Sequence, residues 1–131
     1  MSARPSVTPV RVEHYLLPFL CEAFPEVTFS TIRSRKEAPS TECVLVGEPQ
    51  GMASPITQYV RLRMSVYATR ADMSGDFQTA QDLAARIAHE ILAHGTNAPF
   101  VDAELDSGPI RMADDTQIFA YGIILLTVSV A

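Results

Sequence analysis

Between Tyr59 and Ala68 the chain changes character at every step. Val60, Leu62, Met64, Val66 and Ala68 fall on one side, and Tyr59, Arg61, Arg63, Ser65 and Tyr67 on the other. A period of two with one apolar side marks a half-buried strand, so a strand is predicted over Gln58–Ala68. Thr69 to Met73 supply turn chemistry, and a helical period then takes over. Phe77, Ala80, Leu83, Ala84, Ile87, Ala88 and Ile91 share one helical arc, which predicts a helix from about Ser74 to His94. Asp76 suits its positive start, Gly95 suits the position past its end, and Pro99 bars continuation.

The flanking pattern supplies the other elements. A first helix is predicted over Pro9–Phe24, capped by Thr8 and opened by Pro9, with Val12, Tyr15, Leu16, Phe19, Leu20 and Ala23 as its stripe. Pro18 lacks a donor and crowds the preceding turn, so a kink or break is expected there; Pro25 ends the element. Val27–Arg33 reads as a strand with Val27, Phe29 and Ile32 inward. Ser34–Glu42 reads as a polar loop, and Cys43–Gly47 as a short apolar strand. Pro49, Gly51 and Pro55 make Glu48–Thr57 a second flexible connection.

Further on, Val101, Ala103 and Leu105 alternate with Asp102, Glu104 and Asp106. Ser107-Gly108-Pro109 reads as a turn and Asp114-Asp115 as another bend. Gln117–Val130 is a long last strand, apolar on both faces around Ile123–Leu126, so both faces are expected to be covered. One cover would be the helices and the other a second subunit. The expected fold class is α+β, in one domain over residues 1–131. Two helices pack on one mainly antiparallel or mixed sheet, in the order α-β-β-β-α-β-β.

Composition narrows the function. Hydrophobic residues at 47% can build a core without metal or disulfide. A net charge of −5 opposes nonspecific grip on nucleic acid. The charge is uneven: residues 1–70 balance at +2, 71–100 at −3 and 101–131 at −4. A basic front and acidic back can stack head to tail, although acids on loops can equally be mere solvation. Cys21 and Cys43 lack CxxC spacing and no apolar leader precedes them, so two reduced thiols in a cytosolic setting are expected, both as small core residues. No apolar run is long enough for a bilayer, so no membrane partner is expected.

Catalytic patterns are weak. His89 and His94 resemble a zinc-protease pair but stand five apart, about 140° around a helix, where four is required. Gly47-Glu48-Pro49-Gln50-Gly51 lacks the Lys and Ser/Thr ending of a phosphate loop. No nucleophile has a base at suitable spacing, so no enzyme, metal or cofactor is expected. Asp102, Glu104 and Asp106 share one strand face; with Asp114 and Asp115 they form an acidic region that either discourages edge pairing or lines a lumen. Tyr59, Arg61, Arg63 and Tyr67 combine the residue types enriched at interface centres. They form the expected assembly surface, set against an ordinary solvated face with cross-strand Arg–Glu pairs or a face partly covered by the same chain.

Three segments together resemble the tail terminator proteins of long-tailed bacteriophages, a group related to tail completion and minor tail proteins. These are Tyr15-Leu16-Leu17-Pro18-Phe19-Leu20; Ser65-Val66-Tyr67-Ala68 followed by Ala80-x-x-Leu83-Ala84 and a helix to Leu92; and Asp106-Ser107-Gly108-Pro109, Asp114-Asp115 and the long last strand. The likeness lies in order and spacing over most of the chain. It implies a virion protein, made in the host cytoplasm, whose ring, a hexamer, caps the tail tube at its head-proximal end. The ring would stop tube polymerisation and join the tube protein to the head–tail connector. DNA would pass through the lumen without sequence readout, past an acidic lining. The alternative is a small oligomeric ligand- or peptide-binding domain unrelated to phage, marked by an enclosed apolar pocket. A hydrolase would need a nucleophile–base pair that the sequence does not offer.

Overall fold

The computed structural model describes residues 12–31, 40–54, 56–70, 74–94, 100–113 and 118–129. Its elements are α1 (Val12–Ala23), β1 (Thr28–Ser30), β2 (Ser40–Ser54), β3 (Thr57–Thr69), α2 (Phe77–Ala93), β4 (Phe100–Ala113) and β5 (Ile118–Ser129). The order is the expected α-β-β-β-α-β-β and the fold is α+β. The five strands form one mixed sheet in the order β1-β2-β3-β5-β4. Only the β1–β2 pairing is parallel.

Both helices lie on the same face, α1 over β1 and β2, α2 over β3, β5 and β4. The alternation of β3 does what its pattern requires: Val60, Leu62, Met64 and Val66 are buried beneath the helices. From β5, Ile124, Leu126 and Val128 join them, and from β2, Cys43 and Leu45. The helices answer with Val12, Leu16 and Leu20 of α1 and with Ala80, Leu83, Ala84, Ile87, Ala88 and Ile91 of α2. Alanines on the α2 stripe let its axis sit close to the strands.

Capping fixes where α2 begins. The Asp76 carboxylate accepts from the Thr79 backbone N–H at 3.2 Å and the Thr79 hydroxyl at 2.7 Å. Arg70 Nη2 stands 3.6 Å from the same carboxylate. These contacts hold the Asp76 carboxyl below its ordinary range, Thr79 being the larger cause. At the other end the His94 N–H donates to Glu90 O and Ile91 O, both at 3.1 Å, while Gly95 and Pro99 lie outside the described residues.

Several segments depart from the sequence expectation, each for a local reason. The break at Pro18 does not occur: α1 runs through it, and Pro18 is exposed, so water can reach the carbonyl left without a donor. The proposed cap at Thr8 and Pro9 lies outside the described residues, as does Ile32. The stripe is narrower than expected, because Tyr15 is exposed and Cys21 and Ala23 face solvent. Cys21 is therefore not a core residue, whereas Cys43 is fully buried and its thiol is pushed far up by that burial, with Glu42 adding to it.

The polar loop ends earlier than expected, since β2 starts at Ser40. Glu48–Thr57 is not a flexible connection. It continues β2 into a tight hairpin in which Ser54 pairs with Thr57. Pro49 is tolerated because β1 pairs only with Glu42–Val44 and leaves that part of β2 on an edge. The register shifts between Pro49 and Gly51, where Gly51 takes φ 127°, a glycine conformation. Ser107-Gly108-Pro109 is likewise no turn. It lies inside β4 as a bulged stretch, with register shifts on either side of Ser107. A further shift between Phe100 and Asp102 spoils the simple alternation, so Val101 and Leu105 are exposed and only Ala103 packs on the core.

Candidate functional site

The described helices cover one face of the sheet; on the opposite face Glu42, Tyr67 and Phe119 are buried, while no described helix lies over the stretch around Arg61 and Arg63. That face is built by the alternate residues of the same strands. β2 contributes Val44, Val46 and Glu48; β3 contributes Tyr59, Arg61 and Arg63; β5 contributes Tyr121, Ile123 and Leu125. The helices supply one of the two covers expected for the last strand; the other is expected from a second subunit. Ile124, Leu126 and Val128 are fully buried, while their neighbours Ile123, Leu125 and Thr127 remain half-exposed.

Two ion pairs cross this surface. Arg63 Nε stands 3.0 Å from Glu48 Oε1 on the neighbouring strand. Arg61 Nη2 reaches over β5 to Asp106 Oδ2 at 3.5 Å. All four side chains are well exposed, so each pair contributes about 0–1 kcal/mol and the arginines are held in place rather than buried. The cross-strand Arg–Glu arrangement weighed in the sequence is present at Arg63. Apolar side chains lie beside these pairs: Val46 is 39% exposed and Tyr59 41% exposed, and Ile123 and Leu125 on β5, opposite Arg63 and Arg61, are partly buried. Apolar and aromatic side chains interleaved with arginines are the composition of many contact sites.

Of the residues expected to form this surface, Tyr59, Arg61 and Arg63 are brought together on it. Tyr67 shares the face but is only 8% exposed and stacks on Phe119, with centroids 4.7 Å apart. It is closed to a partner in this conformation. Asp102 and Glu104 are exposed on β4 and oppose Thr127 and Leu125, so they border the same face. Asp106 is drawn to Arg61, and Asp114 and Asp115 lie outside the described residues. The sequence reading marked Ile123–Leu126 as apolar on both faces but did not join Ile123 and Leu125 to this surface, and it overlooked Val44 and Val46. The signal for the latter was the unbroken apolar run Val44–Val46, which no single buried face accommodates.

No protein-family model and no curated protein matches this chain.

Among the described residues no three His, Cys, Asp or Glu side chains are grouped to hold a metal ion. His94 stacks on Phe19 with centroids 4.1 Å apart and meets Phe100 edge-on at 6.5 Å. It thereby ties α1 to the end of α2 and the start of β4. His89 points away, on the exposed side of α2. Among the described residues no helix is long and apolar enough to cross a membrane.

Proposed function

We propose that this chain is a structural assembly protein that self-associates by burying the helix-free face of its sheet. The observation that carries this reading is the juxtaposition on one strand: Ile124 and Leu126 are sealed beneath helices, while Ile123 and Leu125 point to the other face, opposite Arg63 and Arg61, and are only partly buried there. Covering that strip with a second copy removes apolar area from water. The ion pairs at its borders give the contact register, since charged groups discriminate partners more than they add affinity.

Taken with the resemblance to phage tail terminators, the assembly is a ring at the head-proximal end of a tail tube. It ends tube polymerisation, and its two sides meet the tube protein and the head–tail connector. DNA passes through without base readout.

Electron microscopy of the purified protein, and of particles made without it, tests this. Rings from the purified protein, and overlong or headless tails in its absence, are expected. A monomer at all concentrations, with normal particles made in its absence, would overturn the reading. Reversing both charges, Arg61→Glu with Arg63→Glu, places like charges against Asp106 and Glu48. Particle yield is expected to fall while the circular dichroism spectrum stays that of the folded chain.

A further inference from the structure

The two ion pairs on the sheet differ in what lies beneath them. Arg63 and Glu48 stand on neighbouring strands, β3 and β2, so their bond spans one strand spacing and crosses no third strand. Arg61 and Asp106 stand on β3 and β4, which β5 separates. At about 4.8 Å per strand spacing, these two side chains bridge about 10 Å of sheet and meet above β5.

Register fixes where they cross. Arg61 is opposite Leu125. Asp106 lies between Leu105 and Ser107, which oppose Ile124 and Ile123. Ile124 points to the helices and is fully buried, so the residues under the bridge are Leu125 and Ile123. Burial carries the same mark. Val46 and Tyr59, which no such bridge crosses, are 39% and 41% exposed, whereas Ile123 and Leu125 are less exposed although no described helix lies over them. An arginine stem covers apolar surface while its head stays in water. The Arg61 and Asp106 side chains, 41% and 47% exposed, are therefore the outer layer at this place.

We infer that Arg61 and Asp106 form a strap across the apolar strip of β5, closed in the single copy and opened when a second copy docks there. The inference rests on the self-association reading and gives that surface its regulation. A strap of this kind has to be weak. An exposed ion pair at 3.5 Å is worth little and is screened by salt, so apolar contact can displace it. Once open, Arg61 and Asp106 flank the strip from β3 and β4 and stay at the rim of the contact, where their charges remain hydrated. The strap thus raises the concentration at which copies associate without altering the fold.

Sedimentation equilibrium of the full chain tests this with wild type, Asp106→Asn and Glu48→Gln. Each variant removes one exposed carboxylate and changes the net charge equally, but only Asp106→Asn opens the strap. Asp106→Asn is expected to tighten self-association about two- to fivefold, the range open to an exposed ion pair, and Glu48→Gln to leave it near the wild-type value. A second readout does not depend on association. At concentrations where the chain is a monomer, a neutral polarity-sensitive dye should bind Asp106→Asn more than wild type or Glu48→Gln, with all three circular dichroism spectra alike. A wild type that never associates would refute the self-association reading, and the dye then decides on the strap alone. Association that is unchanged or weaker in Asp106→Asn, an equal gain in Glu48→Gln, or no gain in dye binding would overturn the strap while leaving self-association standing.

Discussion

At Gly47 the first helix packs directly on the sheet. Its backbone N–H donates to Glu13 Oε1 at 3.0 Å, and a Cβ there would collide with that carboxylate and come within 2.8 Å of Val12 Cγ2. Glu13 can swing aside but loses its bond, and Val12 is fully buried. Gly47→Ala is therefore expected to destabilise by about 1–3 kcal/mol, read as a lower urea midpoint with an unchanged slope. Asp76 makes a different residue-scale prediction. Its folded carboxyl is held below the ordinary value by Thr79 and Arg70, so the anion stabilises the fold. That contribution is fully present above the unfolded value of about 4 and is lost as pH falls through the lower folded value. Thermal melts should show wild type above Asp76→Ala at neutral pH, with the gap closing only in acid. Asp76→Asn, which keeps an acceptor at the cap, should fall between them.

At the scale of elements, a segment was legible where one periodicity ran without interruption. The β3 alternation and the α2 stripe appear in the fold almost residue for residue, because each buries one face against a single layer. Legibility failed where Pro and Gly sit on edges. Pro49, Gly51 and Pro109 look like loop signals, yet an edge strand tolerates a missing donor, and a bulge absorbs the extra residue. Pro18 misled in the same way from inside a helix. Its ring is exposed and the stripe Val12, Leu16, Leu20 is anchored on both sides of it, so packing overrides propensity. The cost of the lost N–H persists even so. Pro18→Ala is expected to stabilise the protein by about 1–2 kcal/mol, the helix gain being offset in part by a looser unfolded chain, and to raise the melting temperature.

At the scale of the whole molecule, the fold class was readable because seven elements alternate in a way that only one sheet with helices on one side can bury. The proposed assembly surface was readable only in part. Tyr59, Arg61 and Arg63 followed from alternation, but the apolar residues beside them depend on which strands are neighbours, and β5 lies between β3 and β4 out of chain order. Nothing local in the sequence announces that insertion. It is also what makes the sharpest test of the assembly reading possible within one dipeptide. Ile124 is 0% exposed beneath the helices, whereas Leu125 opposes Arg61 on the other side. Ile124→Asp puts an unpaired charge in the core and is expected to cost more than about 4 kcal/mol, leaving no cooperative melt. Leu125→Asp adds a charge to a half-exposed position and is expected to shift stability by about 1 kcal/mol or less, with a near-native melt. If the outward strip is the surface that copies bury, that folded variant should still sediment as a monomer where the wild type assembles, because a hydrated carboxylate replaces apolar contact area and must be desolvated to be buried. A Leu125→Asp protein that folds and assembles like wild type would show that the strip is ordinary solvated surface, and that the doubled apolar character of the last strand serves only the interior.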